Sequence, residues 1–227
     1  MSTSFSFVRL SASLLFIAGL ASGAEALAGS LARLPQQTAA YEVANRTLTF
    51  EDGGVVHLSA AKDDGIAWLV GQEFTDGRIR IEVRGVDVMQ RSFVGVAFHG
   101  SDRHSFDVVY TRPFNFNSTD ARRRGYSLQY MSLPDNTWEV LRAKFPGKYE
   151  SALTPPPAAE SWVRLTLEIK ARRLNVFVDD GNAPALTVDL LNDRLKGRVG
   201  LWVGNNSAGW FRNLTIEPEL SPQAASP

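Results

Sequence analysis

The chain has 227 residues, 24 basic and 24 acidic side chains, no cysteine and 44% hydrophobic residues. The zero net charge excludes the basic surface of a nucleic-acid binder and the charged excess of a disordered chain. The missing cysteine excludes disulfides, thiolate metal sites and a cysteine nucleophile.

Residues 1–28 read as a secretory signal peptide. Arg9 precedes an uncharged run containing Leu14, Leu15, Phe16, Ile17 and Leu20, and Ala26-Leu27-Ala28 fits the small-x-small cleavage pattern. The run is shorter than the roughly 20 residues a membrane span needs. The mature protein is therefore expected outside the cytoplasm, in a bacterial periplasm or exterior, with no membrane span after cleavage. Residues 29–37 read as a linker, 38–217 as the folded domain, and 218–227, rich in Pro, Ser and Ala, as a frayed tail.

Beyond residue 40 the dominant period is two. Arg78-Ile79-Arg80-Ile81-Glu82-Val83-Arg84 alternates charge with aliphatic residues, as a strand with one wet face requires. Residues 162–170 repeat the pattern, and 174–178 follow as a further strand, closed by the turn Asp179-Asp180-Gly181-Asn182. Other predicted strands are 47–51, 55–59, 66–70, 93–99, 106–111, 126–131, 199–203 and 211–216. Glu51-Asp52-Gly53-Gly54 has hairpin chemistry. One helical turn each is expected in 39–46 and 186–195. Residues 112–125 and 135–161 read as long irregular segments. Many short strands without strand–helix alternation predict an all-β fold, a two-sheet antiparallel β-sandwich of the jelly-roll kind.

Two segments carry a resemblance. One is Ser92-Phe93-Val94-Gly95-Val96-Ala97-Phe98-His99-Gly100 with Asp107-Val108-Val109-Tyr110-Thr111-Arg112-Pro113-Phe114-Asn115-Phe116. The other is Gly200-Leu201-Trp202-Val203-Gly204-Asn205 with Gly209-Trp210-Phe211-Arg212-Asn213-Leu214-Thr215-Ile216. Over roughly residues 45–216 the chain resembles the concanavalin A-like lectin/glucanase superfamily, and within it bacterial exported domains described as 3-keto-disaccharide hydrolase-like. The resemblance implies a jelly roll with a concave, carbohydrate-facing sheet. It does not imply a particular reaction: the Glu-x-Asp-x-x-Glu strand of family 16 glucanases is absent, since no Glu is followed two residues later by Asp.

The candidate site gathers around the long loop. Asp107 alternates with Phe106 and Val108, and Gln129 with Leu128 and Tyr130, so both are expected on the outer, concave face. A carboxylate beside an amide suits sugar hydroxyls, which need paired donors and acceptors; the alternative is a cross-strand hydrogen bond. Arg112 offers five fixed donors for a carboxylate or diol, or ties its loop down. Asn115 and Asn117 are expected to turn outward while Phe114 and Phe116 anchor the loop. Trp138, Tyr149 and Trp210 are candidate platforms for a sugar ring. Lys148-Tyr149-Glu150 brings a base, a phenol and an acid together, as a site or as a surface ion pair. In a hydrolase, Asp107 or Glu150 is the expected acid/base. His99, Asp102, His104 and Asp107 are metal-capable types, but their spacing matches no standard site, so no metal and no cofactor is expected, and His99 is counted instead among the candidate substrate-binding residues. The expected partner is a carbohydrate. The alternatives to a hydrolase are a non-catalytic glycan-binding module and an envelope structural or protein-interaction domain.

Overall fold

The structure is a computed structural model that describes residues 32–219. A 3-10 turn (Thr38–Ala40) leads into β1 (Tyr41–Ala44), β2 (Leu48–Glu51), β3 (Val55–Leu58), β4 (Gly65–Phe74), β5 (Gly77–Arg84), β6 (Val94–Gly100) and β7 (Asp107–Thr111). A second 3-10 turn (Pro113–Asn115) and α1 (Ala121–Arg124) precede β8 (Leu128–Ser132), and α2 (Trp138–Lys144) precedes β9 (Glu150–Ser151). The chain closes with β10 (Val163–Lys170), β11 (Arg173–Val178), β12 (Leu186–Asp189), β13 (Gly197–Val203) and β14 (Gly209–Pro218). These strands form two antiparallel seven-stranded sheets. The front sheet runs β1-β4-β13-β6-β7-β8-β9 and the back sheet β12-β11-β10-β5-β14-β3-β2. The jelly-roll sandwich expected from the sequence is the fold.

The back sheet follows the two-residue period. In β5, Ile79, Ile81 and Val83 are fully buried while the alternate charged residues face outward. The outward row is laced by Arg78–Glu168 at 2.6 Å and Arg212–Glu82 at 2.7 Å. Such half-exposed pairs contribute at most about 1 kcal/mol each. The stability lies instead in the apolar layer between the sheets, where Ile79, Ile81, Leu165, Leu167, Phe211 and Ile216 join Val94, Val96, Val109, Leu201 and Val203 in one core.

The middle of the front sheet departs from this pattern. Every residue of β6, β7 and β8 is buried. One face packs on the back sheet, and loops enclose the other. The register decides which side chain belongs to which face. Val109 lies between Val96 and Tyr130, and Tyr110 between Gly95 and Gln129.

Three local expectations change. Residues 39–46 hold only the short 3-10 turn before extending into β1, because the backbone of Tyr41–Ala44 pairs with β4. The helical turn expected within 186–195 is β12, which pairs with β11 from Leu186 to Asp189. The segment 135–161 contains α2, started by the Thr137 hydroxyl, which accepts from the Val140 N–H.

Candidate functional site

The outer face of the front sheet is hollowed into a recess of about 1140 Å³. Its floor carries Tyr110 from β7, Met131 from β8, Trp202 from β13 and Ile66 from β4. Phe93 and the turn holding Phe114 and Asn115 wall one side, and α2 contributes Trp138, Glu139 and Arg142. Tyr126, Asp63, Asp64 and Asn205 also line it, and Arg103, His104 and Arg123 add further basic groups.

The aromatic floor depends on glycine. Gly95 lies opposite both Trp202 and Tyr110 in the ladder. A Cβ there would collide with Tyr110 and the Val109 carbonyl. Its absence lets the two rings approach to 4.9 Å between centroids, a separation that favours aromatic pairing.

Arg112 reaches in from the end of β7 and is only 5% exposed. Its Nη1 donates to the Tyr126 carbonyl at 2.8 Å, and its Nη2 donates to the Tyr110 hydroxyl at 2.6 Å and to Gln129 Oε1. All three acceptors are uncharged. Burial pushes the proton affinity of this guanidinium below its ordinary value, and Arg142 adds to the effect while Tyr110 and Glu150 oppose it. Burial likewise pushes the Tyr110 phenol up to about 12, so it stays protonated at neutral pH.

Arg142 is the second cation. It donates to both Glu150 oxygens, at 2.8 Å from Nη2 and at 3.1 and 3.3 Å from Nε. Its guanidinium lies 3.6 Å over the Tyr126 ring and 4.9 Å from the Trp138 centroid. Trp138, 40% exposed, is the most open of the Phe, Tyr and Trp rings of the recess.

Asp64 belongs to the turn before β4. Its carboxyl is open to solvent at the lip of the recess but walled by protein atoms. That partial desolvation pushes it up to about 6, with the Glu139 charge contributing and Arg46 and the Asn205 backbone N–H opposing. Asp64 thus titrates at mildly acidic pH, well above an ordinary aspartate, where a general acid can work.

The structure separates the residues expected together. Gln129 and Arg112 lie on the recess side, hydrogen-bonded to one another. Asp107 does not: the register puts it on the opposite face, shared with Val109 and Tyr130, toward the back sheet. There it accepts from the Tyr130 hydroxyl at 2.6 Å and from Asn192 Nδ2 at 2.8 and 2.9 Å, with Arg194 at 3.8 Å. His99 joins it, fully buried, with Nε2 donating to the Thr75 carbonyl at 2.8 Å and Nδ1 at 3.9 Å from Asp107. Together they lock the loop after β12 onto the front sheet. The expectation that Asp107 and Gln129 share a face fails because both faces of β7 and β8 are buried, so polar and apolar positions do not alternate visibly.

Glu150 is on the recess side but is held by Arg142. Asn115 is buried in the recess wall, with Nδ2 donating to the Tyr126 carbonyl at 3.4 Å, rather than turned outward. Asn117 does turn outward and ties to the Pro157 carbonyl at 2.7 Å, away from the recess. Tyr149 packs on Tyr130 on the core side, and Lys148 is exposed beyond it, near the Phe145 and Tyr149 rings. Trp210 lies on the back sheet, stacked on His57 at 4.6 Å. Asp102 caps its own loop by accepting from the His104 and Ser105 backbone. Among the described residues no cluster of three or more His, Cys, Asp or Glu could hold a metal, and no helix is long and apolar enough to cross a membrane.

Asp64, Tyr126 and Arg142 are recess residues that the sequence reading does not single out, and Trp202 is one that its place in a regular strand assigns to packing. For Arg142 a signal exists: it stands four residues after Trp138, one helical turn on, behind a Thr cap. For Asp64 there is none.

No protein-family model matches the chain, and no curated protein matches it by sequence. Solved structures do. The carbohydrate binding module CBM66 from Bacillus subtilis superposes with a TM-score of 0.59 at 12% identity, covering 78% of this chain and 96% of that one. The β-glucanase of Bacillus licheniformis gives 0.56 at 13% identity, covering 85% and 99%. The exoplasmic/lumenal domain of VIP36, in its Ca2+/Man3GlcNAc-bound form, gives 0.55 at 11% identity, covering 87% and 91%. At these identities the likeness is one of fold, and the fold is the concanavalin A-like jelly roll.

Proposed function

We propose that this protein recognises a carbohydrate in the recess of its front sheet. The observation that carries the reading is the recess itself, about 1140 Å³ of hollow lined by aromatic rings interleaved with fixed donors. That is somewhat larger than the roughly 300–1,000 Å³ of a small-molecule pocket and leaves room for more than one sugar ring. The open Trp138 supplies a flat apolar surface for the face of a pyranose ring, and the nearly buried Tyr110 and Trp202 form the apolar floor. Arg112, Arg142 and Asn115 supply polar contacts among them. The three structural neighbours are, by their own descriptions, a carbohydrate binding module, a glucanase and a mannose-bound domain, which favours the same use here.

A second reading is hydrolysis of a glycosidic bond, with a 3-keto disaccharide as the substrate suggested by the sequence resemblance. The raised proton affinity of Asp64 favours it, with Glu139 as another carboxylate in electrostatic reach. Export is part of the proposal. It rests on the pattern of residues 1–28, which lie outside the described residues.

The test is calorimetric titration of the protein cleaved after Ala28 against a glycan panel that includes 3-keto disaccharides, with product analysis alongside. Trp138→Ala is expected to weaken binding about tenfold, the loss of one stacked ring at roughly 1–1.5 kcal/mol. Asp64→Asn is expected to abolish turnover and retain binding if hydrolysis occurs. Absence of binding across the panel would refute the reading.

A further inference from the structure

We propose that the Arg112 end of the recess floor is a subsite for an oxyanion carried by the glycan, a uronate carboxylate or a sulfate ester, so that the ligand is an acidic polysaccharide. The inference rests on the recess being the glycan site and narrows its substrate class.

The argument is one of charge and hydrogen-bond balance. Two guanidinium groups, Arg112 and Arg142, feel a single buried carboxylate, Glu150, and Arg142 donates to both of its oxygens. Arg112 is left buried with only neutral acceptors. A buried charge without an opposite partner is unfavourable, and it persists here. The other carboxylates of the recess, Asp63, Asp64 and Glu139, stand at its rim, and none of them accepts a hydrogen bond from Arg112.

The donors around Arg112 are in surplus as well. The guanidinium has five N–H groups, and its three hydrogen bonds leave two unused. Because Gln129 Oε1 faces the guanidinium, Gln129 Nε2 must point away from it. That Nε2 is buried and has no acceptor among the described residues. Trp202 Nε1, on the same floor, is buried without an acceptor too. The Trp202 N–H without an acceptor and the Arg112 guanidinium without an ion-pair partner of its own give the floor more donors than acceptor oxygens. A neutral sugar hydroxyl supplies an acceptor without charge. A carboxylate or sulfate supplies both, with charge-assisted hydrogen bonds roughly twice as strong as neutral ones.

The experiment compares three probes by calorimetry: oligogalacturonate, the same oligosaccharide with its carboxyls reduced to alcohols, and a sulfated galactan oligosaccharide. An acidic probe is expected to bind at least about tenfold more tightly than the reduced one, with the advantage shrinking as salt rises. Preference for the uronate identifies a carboxylate subsite, and preference for the galactan a sulfate subsite. Arg112→Met is expected to erase the advantage. Because that buried substitution can disturb folding, Trp202→Phe serves beside it: it keeps a ring, removes the donor, and is expected to shrink the ratio of acidic-probe to reduced-probe affinity several-fold, whatever it does to the affinity both probes share. If the reduced probe binds in a Trp138-dependent way as tightly as both acidic ones, the oxyanion subsite is overturned and the recess reading stands. If no probe and no other glycan binds, both fall.

Discussion

Replacing Asp107 by Asn separates stability from ligand recognition. Asp107 is fully buried and accepts from two side chains, the Tyr130 hydroxyl at 2.6 Å and Asn192 Nδ2 at 2.8 and 2.9 Å, with Arg194 at 3.8 Å. Asparagine keeps the shape but removes the charge and turns one acceptor oxygen into an NH2 group facing other donors. Hydrogen bonds to a charged group contribute about 1.5–3 kcal/mol each. Weakening two of them, and leaving one donor opposed by another, gives an expected loss of about 3 kcal/mol. That is a large share of the roughly 5–15 kcal/mol that holds a domain folded. Urea unfolding followed by tryptophan fluorescence measures it as a fall in midpoint at constant slope. Glycan binding below the transition should be unchanged, because Asp107 faces the back sheet and not the recess. A loss below about 1 kcal/mol, or a folded variant that no longer binds glycan, would refute the assignment of Asp107 to the inter-sheet lock.

Other consequences are as accessible. Gly95→Ala puts a methyl group against Tyr110 and the Val109 carbonyl; thermal unfolding should show a loss of at least about 2 kcal/mol, in the range of core overpacking. Burial holds His99 below its ordinary imidazole value, against the pull of the Thr75 carbonyl and the nearby Asp107 and Asp76 carboxylates, with Arg194 adding to the lowering. The unfolded chain therefore takes up this proton first, and His99's contribution to stability is full above about pH 6.5 and lost as pH falls below it, by at most about 1.4 kcal/mol per pH unit. His99→Gln should flatten that slope in urea titrations between pH 7 and 5. If the protein is a hydrolase, turnover should fall as pH rises through about 6, where Asp64 loses its proton, and an unchanged profile in an active Asp64→Asn variant would remove Asp64 as the acid.

Strands with one wet face were the legible part of the fold. Ile79, Ile81 and Val83 alternate with charged neighbours because water covers one side of the back sheet, and that contrast is written in residue type. The central front strands lack the contrast. In Asp107–Thr111 and Leu128–Ser132 both faces are enclosed, so nothing local tells Asp107 from Gln129, and only the register with β6 assigns their sides. The site was legible in pieces for a related reason. Arg112, Gln129, Asn115 and Trp138 stand out by type and by neighbouring loops. Asp64, Tyr126 and Trp202 enter the recess through contacts between segments far apart in the chain. Leu186–Asp189 was misread as helical because its four residues take their conformation from pairing with β11, which no short window contains.

The ends of the two sheets bear on behaviour at high concentration. The outermost strands are β1 and β9 in front and β12 and β2 behind, and none is longer than four residues. β9 has two. Each edge therefore exposes only a short row of backbone groups for another chain to pair with, and Glu42, Glu51 and Asp189 place exposed charges on three of these edges. Short, charged margins of this kind oppose edge-to-edge sheet growth. A protein whose two broad sheets hold together without a disulfide is in this way guarded against joining its neighbours into a fibre.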